Sequence, residues 1–332
     1  MKNTFLFFIL TLLVNCSNER HFRNIGNIEK IDPSLDSIIS TGAQPEIIAE
    51  GFQWSEGPIW VESAKMLLFS DVPSDTVYKW TEENGKQFYL APSGYTDTVK
   101  RGGEMGSNGL TLDGNGSLVL CQQGDRQIGK MDAPLDKPEA KFIVITGNYN
   151  HKKFNSPNDL VYSNKGELFF TDPPYGLEKL MNDPKKELPF QGVFKVTSSG
   201  QVVLLTDTLT RPNGIAFLPG EKTLLISNSD PSKPNWYAYE FSDDGSLNNG
   251  RIFYSAAGYD TSLKGLPDGI KVDKRGNVFG AGPGGVWIFN KDGKLLGKIR
   301  VPDATSNCAF SPDEKTLYIT NKMYVLRLVM RK

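Results

Sequence analysis

Short apolar runs recur along the chain, each preceded by a polar residue and followed by a turn. In one example, Asn158-Asp159 leads into "LVY", "SNKGE" supplies turn residues, and "LFFTD" forms a second apolar run. Runs of this length between Gly- and Asp-rich turns are typical of β-strands. They do not show the 3.6-residue period of an amphipathic helix. The pattern therefore predicts an all-β protein.

The polar residue that opens each unit occurs six times, and we call these six residues the channel ring. Subtracting their residue numbers gives spacings of 52, 50, 55, 55 and 39 residues. The channel ring consists of Glu56, Asn108, Asn158, Asn213, Asp268 and Asn307. Repeats of about 40–50 residues with three or four strands are typical of propeller blades. We therefore predict a six-bladed β-propeller over residues 44–332.

The two ends of the repeat region favour a closed ring of blades. After Asn307 the chain has room for three strands, so the sixth blade lacks its outer strand. Residues 45–50 form a short apolar segment ahead of the first blade and have no partner of their own. Pairing the two would close the ring and protect exposed strand edges. We therefore predict an N-terminal closing strand.

The first 43 residues do not follow the repeat. Residues 4–14 are uncharged and rich in Phe and Leu, and the stretch is too short to span a bilayer. It leads to Cys16 in a sequence that resembles a bacterial lipoprotein cleavage site, although Asn15 replaces the usual small residue. An ordinary secretory signal with an incidental cysteine is the alternative. We predict a signal peptide over residues 1–16 and a flexible tether over residues 17–43, hence an exported, periplasmic or cell-surface lipoprotein of a bacterium.

Composition narrows the possible functions. The chain of 332 residues has a net charge of −1, which gives no case for nucleic-acid binding or for membrane contact beyond a lipid anchor. Only two histidines are present, so neither a His/Cys zinc site nor a Ser-His-Asp triad is supported. Cys121 and Cys308 fall in non-neighbouring repeats, so we predict buried free thiols. Nothing in the sequence argues for an oligomer, and a monomer is the default.

The channel ring is the candidate functional site. The first strand of a propeller blade lines the central channel, so a residue just before that strand lies at the channel mouth. Two carboxylates and four amides supply hard oxygen ligands of the kind that Ca²⁺, Mg²⁺ or Mn²⁺ prefer. Asn and Asp also commonly precede strands as turn residues bonded to their own backbone. The pattern alone does not separate these two interpretations.

Several longer strings resemble the senescence-marker-protein/gluconolactonase (regucalcin-like) propellers across residues 51–328. They are "EGPIW", "SNGLTLDGNGSLVLCQQGDR", "FNSPNDLVYSNKGELFFTDPPYG", "RPNGIAF" and "LPDGIKVDKRGNVF", the third being similar to the bacterial gluconolactonase branch. The resemblance implies one divalent cation, usually calcium or else Mg²⁺, Mn²⁺ or Zn²⁺. The matching ligands are Glu56, Asn158, Asn213 and Asp268. The activity implied is hydrolysis of a small-molecule lactone or sugar-acid ester.

The resemblance and the positions of the residues in the repeats together suggest roles for individual side chains. Asp268 is the candidate general base, with direct nucleophilic attack as the alternative. Asn158 is the second candidate catalytic residue. Asn108, Gln123 and Tyr175 are candidate substrate-binding residues, Gln123 standing where many bacterial members have a histidine.

Residues close to these positions in sequence are expected to be structural. We expect Trp54 and Phe52 in the core, Glu104 and Met105 in a solvated loop, and His151 away from catalysis. Two other functions stay open at this point: a calcium-pinned ligand-binding propeller without catalysis, and an esterase or phosphotriesterase at the same site.

Overall fold

The structure is a computed structural model and describes residues 22–330. The predicted signal peptide and Cys16 lie outside the described residues. Three strands precede the repeats: β1 (Arg23–Asn24), β2 (Asn27–Lys30) and β3 (Glu46–Glu50). Three short 3₁₀ helices lie between strands: Pro33–Ser37 in this N-terminal segment, and Glu62–Ala64 and Leu180–Asn182 within the repeats.

Six antiparallel blades follow one another along the chain, confirming the predicted all-β six-bladed propeller. Blade one contains β4 (Ser55–Val61), β5 (Met66–Asp71), β6 (Thr76–Thr81) and β7 (Gly85–Leu90). Blade two contains β8 (Ser107–Leu112), β9 (Leu118–Gln122), β10 (Gln127–Met131) and β11 (Phe142–Thr146). The hairpin β12 (Asn148–Tyr149) and β13 (Lys152–Lys153) leads to blade three, formed by β14 (Leu160–Tyr162), β15 (Leu168–Asp172), β16 (Gly192–Val196) and β17 (Val202–Thr206).

The remaining blades complete the circle. Blade four contains β18 (Pro212–Phe217), β19 (Thr223–Asp230), β20 (Lys233–Phe241) and β21 (Leu247–Ser255). Blade five contains β22 (Ile270–Val272), β23 (Val278–Gly282), β24 (Gly285–Phe289) and β25 (Leu295–Arg300). Blade six contains β26 (Asn307–Phe310), β27 (Thr316–Asn321) and β28 (Tyr324–Val329).

The hydrophobic core is divided into clusters that lie between neighbouring blades. Between blades one and two, for example, Leu68 and Val77 pack against Leu110 and Leu120. Comparable clusters join each later pair of blades and also join blade six to blade one. Apolar side chains on one face of each strand therefore pack against the adjoining blade, which explains the short apolar runs in the sequence.

The ring closes as the sequence predicts. Strand β3 pairs with β28, with Ile47 opposite Leu326 and Ala49 opposite Val325, so the N-terminal strand completes blade six. In addition, the Trp60 ring of blade one stacks on Tyr318 of blade six at a centroid distance of 5.3 Å. Strand pairing and aromatic packing thus join the two ends of the chain.

The predicted tether over residues 17–43 is wrong from Phe22 onward. Strand β2 pairs with β25 and covers the outer edge of blade five, while β1 extends blade six by pairing with β3. Leu35 and Ile39 are fully buried and join the cluster between blades five and six. Apolar residues scattered in a polar segment therefore fix it to the propeller, which also shields two sheet edges.

Two further expectations concern the body of the propeller. Cys121 and Cys308 are buried and free, as predicted. Across residues 22–330, no helix has the length and apolar character needed to cross a bilayer.

Candidate functional site

A pocket of about 290 Å³ opens at the centre of the propeller. Five of the six channel-ring residues line it: Glu56, Asn108, Asn158, Asn213 and Asp268. They come from five different blades or from the loops entering them, and sequence separations of 50 residues or more are closed by the circular arrangement. The structure therefore brings together all four predicted cation ligands.

The inner strands are distorted where three ring residues lie. The pairing register shifts beside Glu56 in β4, beside Asn108 in β8 and beside Asn213 in β18. Such bulges bend a strand locally and change where its side chains point. In a regular strand these side chains would point to one face or the other of the sheet. The bulges instead turn them toward the channel mouth.

The glycine after a ring residue allows neighbouring blades to approach closely. A Cβ added at Gly57 would overlap the carbonyl oxygen of Asn108, and one added at Gly214 would overlap that of Asp268. At Gly109 the backbone N–H donates to the carbonyl of Asn158 over 2.7 Å. The recurring polar-glycine pair therefore packs one ring residue against the backbone of the next.

Hydroxyl groups on the second strand of three blades hold ring-residue carbonyls of the following blade. Ser70 donates to Asn108 over 2.9 Å, Thr171 to Asn213 over 2.7 Å, and Ser227 to Asp268 over 2.6 Å. Sequence reasoning missed these contacts, although the recurring "FSD", "FTD" and "ISN" strings were a signal for them.

The next residue in each of these strings holds the loop that enters the ring. The Asp172 carboxylate accepts from the backbone N–H groups of Asn155 and Ser156, over 2.7 and 2.8 Å. The Asp71 carboxylate plays the same part for the N–H groups of Gln53 and Trp54. These bonds fix the approach to Asn158 and Glu56, so the pocket is built on ordered backbone.

The two acidic ring residues have strongly perturbed ionisation. Burial raises the pKa of Glu56 to about 8 even though its carboxylate accepts from the N–H of Gly57. Burial, followed by repulsion from Glu56, raises the pKa of Asp268 well above its ordinary value. Burial, together with repulsion from neighbouring carboxylates, thus disfavours the charged forms of both groups.

The pocket oxygens match a hard divalent cation. Asp268 Oδ1 and Asn108 Oδ1 are buried and have no hydrogen-bond partner among the described residues. Residues 22–330 contain no cluster of three or more His, Cys, Asp and Glu side chains suited to a metal. A cation at the two carboxylates would therefore draw its further protein ligands from the amide oxygens of Asn158 and Asn213.

The sixth ring residue belongs to a different cluster. Asn307 does not line the pocket; its Oδ1 accepts from Lys271 Nζ over 3.1 Å, and Lys271 lies 3.6 Å from the buried carboxylate of Asp159. Both Lys271 and Asp159 influence the pKa of Glu56, so this ion pair adjoins the pocket. Neither residue was singled out from the sequence, because a contact across the channel leaves no local pattern.

Several wall residues differ from expectation. Tyr175 lines the pocket, as predicted, and Phe52 lies in the core. Trp54 and Glu104 also line the pocket, which corrects their assignment to the core and to a solvated loop. Burial raises the pKa of Glu104 to about 7. Glu104 is half-buried, and its loop contributes to the pocket wall.

Gln123 does not lie in the pocket wall. It is fully buried, and its backbone and Cβ pack against Gly176, the residue after Tyr175. The expected contact between Gln123 and substrate is therefore not supported. Gln123 instead packs against the turn that carries Tyr175. His151 is exposed in the turn between β12 and β13, away from the pocket lining, as expected.

Arg211 lines the pocket and was not recognised in the sequence. Its backbone N–H donates to Asn228 Oδ1 over 2.7 Å, and its carbonyl accepts from Ser229 N over 2.9 Å. The only sequence signal was its place directly ahead of the Pro212-Asn213-Gly214 turn into the ring.

Comparisons with known proteins agree with this architecture. The chain is 40% identical to a gluconolactonase from Zymomonas mobilis, covering 94% of this chain and 88% of that protein. It is 24% identical to a pentonolactonase from Haloferax volcanii over 80% of each chain. Among solved structures, a gluconolactonase from Xanthomonas campestris superposes with a TM-score of 0.79 and 30% identity, covering 94% and 99% of the two chains.

A family model gives the same result over most of the propeller. Residues 54–322 match the SMP-30/Gluconolactonase/LRE-like region, a span that includes all six channel-ring residues. The chain therefore belongs to the SMP-30/gluconolactonase/LRE-like family.

Proposed function

We propose that this gluconolactonase-like enzyme hydrolyses a sugar lactone in the central pocket with the help of one bound divalent cation, calcium by preference. The observation that carries the proposal is the pair of carboxyl groups of Glu56 and Asp268, whose charged forms are disfavoured by burial, together with a buried Asp268 oxygen that has no hydrogen-bond partner among the described residues. Glu56, Asn158, Asn213 and Asp268 would hold the cation. Relatives named gluconolactonase and pentonolactonase support a sugar lactone as substrate.

The bound cation would supply polarisation of the lactone carbonyl and stabilisation of the negative charge that develops on its oxygen. Asp268 would use its free oxygen to accept a proton from the attacking water. Glu56 would anchor the site, since its carboxylate is fixed by the Gly57 N–H. Asn108, with a free buried Oδ1, would orient a substrate hydroxyl, and Tyr175 and Trp54 would enclose the sugar.

Direct nucleophilic attack by Asp268 is the alternative role for this carboxylate. A single turnover in H₂¹⁸O distinguishes the two roles. General-base catalysis places the label in the product acid alone. Label in the Asp268 carboxylate would show nucleophilic attack, with water opening the resulting mixed anhydride at the aspartyl carbon.

The experiment that tests the function follows acid release from glucono-1,5-lactone and other lactones, with calcium and with chelator. We expect calcium-dependent hydrolysis and a fall of about a hundredfold or more in kcat for Asp268→Asn. Asp207→Asn, at an exposed position outside the pocket, is the matched control. Full activity in chelator would rule out the cation, and absence of hydrolysis across the panel would rule out the lactonase.

The same measurements address the competing functions. Extending the panel to aryl esters and organophosphates tests esterase or phosphotriesterase activity. A non-catalytic binding propeller would retain calcium but hydrolyse none of these substrates.

We also propose that the protein is exported and held at a membrane by lipid on Cys16, and that it is monomeric. The uncharged stretch over residues 4–14 supports export. Cys16→Ser should release the protein from the membrane fraction; unchanged fractionation would contradict the lipid anchor. Light scattering of the purified protein measures the oligomeric state.

A further inference from the structure

Arg211 presents a guanidinium group that has no hydrogen-bond or ion-pair partner among residues 22–330. The residue is half-buried in the pocket wall, and its side chain makes no hydrogen bond or ion pair to the part of the chain that the structure describes. Other arginines with little exposure are fully engaged: Arg126 donates to the carbonyls of Phe154 and Lys185, and Arg327 donates to Glu46. A half-buried guanidinium group without protein acceptors has N–H donors that a ligand in the pocket can bind.

Asp230, an acid whose ionisation is influenced by Arg211, does not pair with it. Asp230 feels the charge of Arg211, which contributes to lowering its pKa. However, its carboxylate accepts hydrogen bonds from Thr210 over 2.6 Å and from the backbone and hydroxyl of Ser232 over 2.9 and 2.7 Å, and no ion pair joins it to Arg211. The guanidinium donors therefore stay available on the pocket side.

The charge of Arg211 also reaches the interior of the pocket. Burial raises the pKa of Tyr175, while the positive charge of Arg211 acts in the opposite direction on the same hydroxyl. Tyr175, Ser229 and Arg211 together form a corner of the pocket. Among its described lining residues, Arg211 is the basic one, whereas Glu56, Glu104 and Asp268 are acidic.

This corner suits an anionic oxygen group. A guanidinium offers several N–H donors in a planar fork and binds carboxylate or phosphate in a bidentate manner. The hydroxyl of Tyr175 can supplement it, whereas the Ser229 hydroxyl already donates to the Pro267 carbonyl. A neutral sugar ring would leave these donors only hydroxyl acceptors, which form weaker bonds than charged oxygens.

We propose that Arg211 is a specificity-determining residue that selects lactones carrying an anionic substituent, a carboxylate or a phosphate, away from the reacting ester. The inference rests on the proposed lactone hydrolysis and defines its substrate class. The substrate ester would lie toward Asp268, with its charged substituent at the Arg211 corner.

The kinetic test compares the neutral glucono-1,5-lactone with 6-phosphogluconolactone and glucaro-1,4-lactone, whose anionic groups are a phosphate and a carboxylate. The wild-type protein should have at least a tenfold higher kcat/KM for one of the anionic lactones, and the better one identifies the group. Arg211→Gln should reduce kcat/KM for that lactone by about 10- to 100-fold, mainly through KM, as expected for loss of a charge-assisted hydrogen bond. The loss for the neutral lactone should be at least tenfold smaller.

Arg211→Lys is the matched control, because it keeps the charge but loses the fork, and it should retain part of the preference. Since the Arg211 side chain makes no bond within the described protein, neither variant removes a folding contact. A wild-type preference for the neutral lactone, or equal losses on neutral and anionic lactones in Arg211→Gln, would overturn the inference.

Equilibrium binding separates failure of this inference from failure of the proposed function. Wild-type protein should bind 6-phosphogluconate or glucarate at least tenfold more tightly than gluconate, and Arg211→Gln should abolish the difference. If no lactone is hydrolysed, the proposed function fails and this binding difference alone decides the role of Arg211. Equal binding of all three acids by the wild type would overturn it.

Discussion

The protonation state of Glu56 should determine how cation affinity depends on pH. Without a cation, burial raises its pKa to about 8, so the carboxyl is mainly protonated at pH 7. A cation binds the ionised form and must displace this proton, so affinity should rise with pH up to the pKa and then level off.

For Glu56 alone, the dissociation constant for calcium should be about fivefold weaker at pH 7 than at pH 8. Coupling to Asp268, whose pKa is also raised, would steepen the dependence. Isothermal titration at several pH values measures it, and Glu56→Gln should show a shallower slope as well as weaker binding. A dissociation constant that is constant between pH 6 and pH 8 would contradict the prediction.

Gly57 follows the ring residue Glu56 and has both a left-handed backbone conformation and close contact with the next blade. Its φ is +51°, and an added Cβ would overlap the Asn108 carbonyl of the neighbouring blade. Gly57→Ala should therefore lower the free energy of unfolding by about 3 kcal/mol, through left-handed backbone strain and overpacking. Chemical denaturation measures the change.

The control for Gly57 is Gly116, which has φ of +79° but no atom within 4 Å of an added Cβ. Gly116→Ala should cost only the backbone strain, about 1 kcal/mol. Equal losses at the two positions would show that the close approach of the blades is not what requires glycine at Gly57.

At the scale of elements, the N-terminal segment is a structural part of the propeller. Leu35 is fully buried between blades five and six, and Ile31 in the same segment is 47% exposed. Leu35→Ala should reduce the free energy of unfolding by about 2–5 kcal/mol, whereas Ile31→Ala should change it by about 0.5 kcal/mol or less. Denaturation midpoints of the two variants measure the difference, and a neutral Leu35→Ala would restore the tether interpretation.

The sequence predicted the pocket residues that occupy repeated positions in the blades, and it did not predict those that lie in irregular loops. Asn108, Asn158 and Asn213 were found because each stands at the same point of a blade, and circular symmetry brings equal points together. Arg211 and Glu104 lie in irregular loops ahead of the inner strands, where position depends on contacts with other blades. Their role in the pocket therefore had no periodic signal.

Two departures from the repeat pattern have related physical causes. Asn307 has the right phase in its repeat, yet Lys271 from the preceding blade draws it into a pair with Asp159. Residues 22–43 contain too few apolar residues to show a period, but the exposed edge of blade five gives β2 a backbone partner. In both cases a non-local partner decided the outcome.

On the scale of the whole molecule, the proposed cation would link four blades. Glu56 lies in blade one, Asn213 in blade four, and Asn158 and Asp268 immediately precede blades three and five. Each interface between blades has its own hydrophobic cluster, and within residues 22–330 none of these clusters spans the ring. A cation at the centre would therefore add the connection between distant blades that apolar packing does not provide.

Calcium should accordingly stabilise the folded protein as a whole. At a free concentration one hundred times the dissociation constant, the gain is about 2.7 kcal/mol, which corresponds to an increase of about 4 °C in Tm for a chain of this size. Calorimetry in calcium and in chelator measures the shift. Glu56→Gln should lose most of it because one of the two carboxylate ligands is gone, whereas Asp207→Asn should keep it. If wild type and Glu56→Gln shifted equally, calcium would be acting at another site, and the central carboxylates would not be what holds it.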